Sequence, residues 1–407
     1  MSQGPTESPS TLEAGGAGSH DGETGRAGRA LRRKLLESTV TVFVFLMIFT
    51  VFAVWLGGRF ANVDARLLDV HQNVPILLLG LAVLITLIGG LFDLSVAGVA
   101  TFSTFLVIGL TVKGGWPFWL VILVVILVGM LAGLINGFLV ERLKVNTFIA
   151  TLGTGAVFLG LSAVYSGGTL IAPSSAGPQL PEWFSTFGAF REKAPAWIIG
   201  LGVVLSLITM FMSMGRLRPA SLSRSAWIGA RLAIVIVFTL ILIFVLQLPA
   251  WISGISWALF LLLVVALVMW VLIQFTTYGR SLQATGSNRT AARLAGVRVQ
   301  REVVKAFLIG GVLAAISGIA LAANQGSAAP DIATSFLLPA FAAAFLSTVV
   351  FSNGRFTVPG TIVGGIFVIW VGQALVIGGL PPTWVNVVNG VVLIGAVALS
   401  TVMRSRR

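Results

Sequence analysis

The chain has 407 residues, 57% of them apolar and 10% charged, where soluble globular domains carry roughly 25% charged residues. With a mean hydropathy of +1.01, disorder is excluded over most of the length, because disorder needs low hydrophobicity. Room exists instead for about twelve membrane spans of roughly 20 apolar residues each. Cysteine is absent and histidine occurs twice, at His20 and His71, which removes disulfides, iron–sulfur clusters and thiolate zinc sites and nearly removes histidine-based metal or acid/base chemistry.

In chain order, residues 1–35 read as a disordered tail, since the first 30 show no apolar periodicity. The apolar stretch begins too late for a signal peptide, and Arg32-Arg33-Lys34 ahead of it anchor a retained helix. Candidate spans follow at about 38–57, 74–90, 94–112, 117–140, 147–165, 195–214, 228–249, 254–276, 303–323, 333–351, 358–378 and 384–403. They form an all-α transmembrane domain over 36–403, before a basic tail at 404–407. Only Gly89-Gly90-Leu91-Phe92-Asp93 separates the second span from the third, so one of the two can be broken or re-entrant. The long outer loop is 166–194, with Pro173, Pro178 and Pro181. The notable inner loop is 277–302, whose Ala/Arg pattern suits a short amphipathic helix.

Charge placement orients the chain. With the N-terminus inside, the outer segments hold only Arg59, Arg66, Lys113, Arg191 and Lys193, and the other 21 of the 26 Lys+Arg fall inside. Cytoplasmic loops carry the excess of Lys and Arg, so both termini are expected in the cytoplasm. The net charge of +13 is then explained without nucleic acid.

The span interiors are almost free of charge. Asp93 is the one acid expected near membrane depth beyond the first span; with Ser95 it reads either as a helix cap or as part of a substrate path. Asn136, Thr151, Thr154, Asn324, Gln325, Gln373, Asn386 and Asn389 lie in or near spans. Each suits an interhelical hydrogen bond or a path for a neutral, hydroxyl-rich solute. Gly129, Gly133 and Gly137 are spaced by four, as are Gly360 and Gly364, and such spacing lets helices approach closely in lipid. None of the five lysines follows a glycine, so the phosphate-cradling glycine–lysine motif is missing. No hydrolase, zinc-protease or kinase signature is present either. Neither a metal site nor a cofactor is indicated. If the chain pumps, the energy enters from elsewhere.

Four stretches in order resemble the permease subunits of bacterial ATP-binding-cassette importers for monosaccharides, the ribose/xylose type. They are Phe92-Asp93-Leu94-Ser95-Val96; Ile135-Asn136-Gly137 with Val145 to Thr154; Tyr278-Gly279-Arg280 with Ala284 to Val297; and Gly354-Arg355 with Pro359-Gly360-Thr361. A surplus helix pair around 195–250, with Arg216-Leu217-Arg218 between, is similar to the insertion of the xylose branch. The chain departs from the family at Arg289-Thr290, where an acid is frequent, at Leu338-Pro339-Ala340 for Leu-Asp-Ala, at Ser347-Thr348 for a Gly pair, and at Val145-Asn146 for Val-Pro.

The resemblance implies a multi-pass protein of the bacterial cytoplasmic membrane that works with separate cytoplasmic ATPase subunits. It also implies a second, identical permease, an outer sugar-binding protein and a monosaccharide of pentose type. Loop 277–302 becomes the coupling element, through Gly286, Asn288, Ala291, Ala292, Arg293, Leu294 and Gly296. Small residues at Ala291, Ala292 and Ala295 would let a short helix seat in a groove of the ATPase, with Arg289 and Arg293 pairing with its acids. Twelve spans also suit a single-chain secondary carrier of the major facilitator type, whose inner-loop motif begins like Gly90-Leu91-Phe92-Asp93. A membrane-embedded transferase is the remaining alternative, although paired acids near one face are not found. Single cysteines placed in this cysteine-free chain test the topology with an impermeant thiol reagent on intact cells. Ser174→Cys is expected to react and Ser287→Cys to stay protected; the reverse pattern overturns the orientation.

Overall fold

The computed structural model describes residues 47–175, 177–202, 232, 248–350 and 354–405. The tail 1–35 and most of the spans expected at 38–57, 195–214 and 228–249 lie outside them. Among the described residues every regular element is helical, apart from the isolated bridges Ile171–Ala328 and Lys193–Ser256. Five helices are long and apolar enough to cross a membrane, or six if one bent pair counts as a span, and four further apolar helices are shorter.

The helices are α1 (Met47–Leu56), α2 (Gly58–Ala61), α3 (Val63–Gln72), α4 (Val74–Ile88), α5 (Val96–Val112), α6 (Phe118–Glu141), α7 (Thr147–Ser166) and α8 (Glu182–Gly188). After the undescribed stretch come α9 (Leu248–Ser253), α10 (Trp257–Phe275), α11 (Thr277–Ser287), α12 (Arg289–Leu294), α13 (Val299–Gln325), α14 (Leu337–Val350), α15 (Val358–Ile377) and α16 (Trp384–Ser405). The spans expected at 74–90 and 94–112 stand as α4 and α5, and the former gains a bent extension ahead of it. Helix α3 continues into α4 across a 56° bend at Asn73, where Pro75 in the first turn of α4 supplies no N–H to continue the ladder.

Helix α4 is the hub. It is apolar on every face, and all of its residues are buried, as expected of a helix with neighbours all round. Helices α13, α14, α15 and α10 pack on it, with α5, α6 and α7 building outward from α13. The outer loop 166–194 is also packed, since α8 buries Phe184 and lies against α13.

Glycine sets the closest approaches. A Cβ on Gly129 would lie 2.5 Å from the Gly311 carbonyl oxygen, and one on Gly133 would run into Phe307 O, so the four-residue spacing on α6 is a packing face for α13. Gly360 and Gly364 do the same against Ser347 and Leu346. Gly153 on α7 has nothing within 4 Å of its Cβ position. The substitution Gly133→Leu is expected to lower the thermal midpoint of the detergent-solubilised protein, since overpacking costs about 1–3 kcal/mol. Gly153→Leu is expected to leave it unchanged, and equal midpoints for the two variants would refute the tight α6–α13 contact.

Candidate functional site

The polar residues singled out in the sequence fall at two ends of the bundle. At the Asn73 end, a cavity of about 190 Å³ opens between α4, α14, α15 and α16. Asn73, Gln373, Asn386 and Asn389 give it amides, Ser335 gives a hydroxyl, and Ile76, Phe336, Pro339, Val368, Ile369 and Val385 form apolar walls. Sites for drug-sized ligands run to about 300–1,000 Å³, so this chamber suits something smaller. Its groups are neutral donors and acceptors, the chemistry that hydroxyls match.

Asn73 and Ser335 were missed in the sequence. Asn73 had a signal, an amide two residues before Pro75 at the head of an apolar run. Asn324 and Gln325 do not line the chamber: Asn324 Nδ2 donates to His71 O at 3.1 Å, an interhelical bond, and Gln325 is exposed. His71, set aside at first, is a structural junction. Its Nε2 donates to Gly188 O at 2.9 Å, and its Nδ1 lies 2.7 Å from Ser256 Oγ, which ties α3 to α8 and α10. Nearby, burial lowers the Lys193 ammonium while Asp64 opposes the shift; its Nζ stands 3.1 Å from the Phe190 ring centre, a cation–π contact.

At the opposite end of α4, a turn over residues 89–95 leads into α5. Asp93 is 1% exposed, and its Oδ1 accepts from Ser95 N at 2.9 Å and from Ser95 Oγ at 2.6 Å. This carboxylate therefore closes the turn onto Ser95, the residue that heads α5 and makes no cap bond of its own to the first turn of that helix. The Ser95 hydroxyl also accepts from Asn136 Nδ2 of α6 at 2.8 Å, while Asn136 Oδ1 is buried without a partner. Thr154 differs from the interhelical expectation, since its Oγ1 donates to Ala150 O at 2.9 Å; Thr151 Oγ1 donates to Thr147 O at 2.9 Å and also reaches Phe92 O, in the turn before α5, at 3.5 Å. A threonine hydroxyl easily reaches the carbonyl one turn back. Asp93 is also not alone as a buried acid. Glu141, one residue past its expected span, is 4% exposed. Among the described residues no group of three His, Asp or Glu side chains converges as for a metal.

The expected amphipathic loop is two helices. Thr276 caps α11 by accepting from Gly279 N at 3.2 Å, and Asn288 Oδ1 caps α12 by accepting from Thr290 N and Ala291 N at 3.0 Å. Leu282 and Thr285 of α11 are buried, and the Gly286 backbone lies against Ile88, Gly89 and Gly90 at the end of α4. Burial, with the Glu302 carboxylate adding to it, pushes the Tyr278 phenol up. Helix α12 corrects two expectations. Ala292 is 3% exposed and packs inward with Leu91, Val140, Ala150, Val303 and Phe307, so its small size serves the chain's own interior. Arg289 pairs with Glu141 at 3.2 Å rather than facing outward with Arg293. Ala291, Arg293, Ala295 and Gly296 are exposed, and Leu294 is 86% exposed.

An all-helical membrane bundle with a neutral polar chamber, and with helices at one end of its hub presenting an exposed face, defines a transport subunit rather than an enzyme. The chain belongs to the family described as branched-chain amino acid transport system / permease component, which it matches over residues 70–397. It is similar to the xylose transport system permease protein XylH of Escherichia coli K12, 28% identical over 72% of this chain and 73% of that one. It resembles the autoinducer 2 import system permease protein LsrC of Salmonella typhi, 26% identical over 91% of this chain and 85% of that one. It also resembles the galactose/methyl galactoside import permease protein MglC of Haemophilus influenzae, 28% identical over 72% of this chain and 70% of that one. No solved structure matches. Membership in this family sets aside the secondary-carrier and transferase readings. For the local architecture, Asn288→Ala is expected to loosen α12, since losing such a cap costs about 1 kcal/mol. Amide exchange over residues 289–295 should quicken while α13 stays protected; unchanged exchange would show that the cap does not hold the helix.

Proposed function

We propose that the chain is the membrane-spanning permease subunit of a bacterial ATP-binding-cassette importer, carrying a monosaccharide of pentose type or a related sugar across the cytoplasmic membrane. The chamber of four amides and a hydroxyl between α4, α14, α15 and α16 carries this reading. The names of the relatives, a xylose and a galactose permease among them, support it. Gln373, Asn386 and Asn389, joined by Asn73, are the sugar contacts. With about twelve spans and both termini in the cytoplasm, the chamber lies in the outer half of the membrane, where a sugar-binding protein delivers its load. The helix pair around 195–250 is the addition of the xylose branch.

A second, identical permease completes the path. The open glycines Gly390 and Gly395 on α16 leave room for a close helix approach. Helices α11 and α12 are the coupling segment. Leu294 is its apolar knob, flanked by Ala291, Arg293, Ala295 and Gly296 and held in register by Gly286 and Asn288, and it docks on a cytoplasmic ATPase subunit. Ala292 belongs to the permease side of that joint. ATP-driven closure of the ATPase pair moves the coupling segment and alternates access to the chamber.

The test is uptake by the complex of permease, ATPase and binding protein in proteoliposomes. ATP-dependent sugar uptake is expected, with no hydrolysis by the purified chain alone. Gln373→Leu and Asn389→Leu should each raise the KM for sugar about tenfold, the worth of a lost hydrogen bond, without weakening co-purification with the ATPase. Uptake driven by a proton gradient with no ATPase present, or an unchanged KM in both variants, would overturn the reading.

A further inference from the structure

Besides its packing on α10 and α13, the coupling segment touches the rest of the chain along two polar or backbone routes that end at the same serine. The first route runs through α11. Gly286 lies backbone to backbone against the end of α4, where a Cβ would come within 3.1 Å of Gly89 C. From there the turn 89–95 leads to Asp93, whose Oδ1 holds both the N–H and the hydroxyl of Ser95. The second route runs through α12. Arg289 Nη1 is 3.2 Å from Glu141 Oε1 at the end of α6, and Lys144, in a left-handed backbone at φ 58°, reaches the other oxygen at 3.3 Å. Five residues back on α6, about 7.5 Å along a rigid helix, Asn136 donates to Ser95 Oγ at 2.8 Å.

The local turn that Asp93 closes onto Ser95 accounts for the first contact and not for the second. Such a turn needs nothing from α6, 41 residues away in sequence. The arrangement is also costly. Asn136 Oδ1 is buried with no partner, and the carboxylate of Asp93 is buried with no cation beside it in any ion pair among the described residues. Buried polar groups left in this condition are expensive, and in a membrane protein they mark function. The Ser95 proton is given to Asp93 and a lone pair receives the Asn136 amide, so the one donor a solute could use at this hydroxyl is already engaged.

We infer that Asp93, Ser95 and Asn136 are not sugar contacts but positioning residues: they lock the α4–α5 turn to α6, so that a displacement of the coupling helices reaches both as one movement. The inference rests on the coupling role proposed above for α11 and α12. The node joins α4, which lines the chamber at its far end through Asn73 and Ile76, to α6, which is welded to α13 by its glycines. With the lock broken, ATP is hydrolysed without moving both blocks together.

The test uses the reconstituted complex of permease, ATPase and binding protein and reads two quantities, ATP hydrolysed per sugar imported and the KM for sugar. Asn136→Leu keeps the volume and removes the bond. It should raise ATP per sugar about tenfold, an ordinary coupling energy between sites, with KM unchanged. Arg289→Gln, which keeps a side-chain amide donor beside Glu141 and leaves Lys144 on its other oxygen, should move the same ratio in the same direction. Because both lie on one line, the double variant should be no worse than the poorer single one. Asp93→Asn, which retains the Oδ1 acceptor, should stay near the wild-type ratio, whereas Asp93→Ala should not. A raised KM at an unchanged ratio would make these residues sugar contacts and overturn the inference. So would an unchanged ratio in Arg289→Gln, which carries the test if Asn136→Leu fails to assemble, or effects that multiply in the double variant. A wild-type complex with no ATP-dependent uptake would remove the proposed function and this inference together; a well-coupled wild type with indifferent variants removes this inference alone.

Discussion

A helix buried on all sides by other helices must have the backbone groups at its ends paired within the protein, because burying them unpaired is costly. Helix α4 imposes that condition on the rest of the fold. It is broken from α3 at Asn73, and the carbonyls around that break take side-chain donors. Asn73 Nδ2 donates to Asp69 O at 2.7 Å, Asn324 Nδ2 to His71 O, and Ser317 Oγ to Pro75 O at 2.8 Å. At its inner end Leu91 N returns to Thr86 O at 3.0 Å, and Asp93 receives Ser95 N. The polar residues scattered through an apolar sequence are largely those that closing α4 requires. The proposed function draws on the same residues, since these two ends are where the backbone is irregular and side chains can be aimed.

The two ends differ in how completely they are satisfied. At the outer end the amides of Gln373, Asn386 and Asn389 converge on open space, ready for a solute. The inner hydroxyl is consumed by its neighbours. This division suits a permease that binds a neutral solute and takes its energy through a surface. Coupled carriers place ionisable groups where solute and ion meet, but here the charged side chains that matter, Glu141, Arg289 and Lys144, sit at the exposed end. The glycine contacts add rigidity. With Gly129 and Gly133 against Gly311 and Phe307, α6 and α13 can shift only as a unit, the kind of rigid-body motion that transporters use.

Much of this was legible in the sequence. Long apolar runs with glycines every fourth residue announced α6 and its packing face, and the Ala/Arg pattern after Thr276 announced helices between spans. The bend at Asn73 was not legible, because α3 carries Asp64, Arg66 and Asp69 and reads as loop by hydropathy. It stays helical through the Asn62 cap on Ala65 N at 2.9 Å and the Arg66–Asp69 pair at 3.0 Å. Periodicity along α12 could not say which alanine turns inward. Ala292 faces Val140 and Phe307, partners fixed only by the tertiary fold. Threonines were over-read for the opposite reason: their shortest bonds are local, to the carbonyl a turn behind, and only Thr151 also reaches another element, at Phe92 O.

The departure from the family pattern at Arg289 also gains a physical reason. A carboxylate at the C-terminal end of a helix faces the negative end of the helix dipole, and Glu141 is buried there as well. Both effects oppose its charge, so it needs cations, and the structure gives it Arg289 from α12 and Lys144 from the loop that follows α6. An acid at position 289 would set like charges together at this buried site, which is strongly unfavourable. Arg289 and Glu141 are therefore one feature distributed over two positions, and the sign of the charge at the start of α12 is set by the carboxylate buried beneath it.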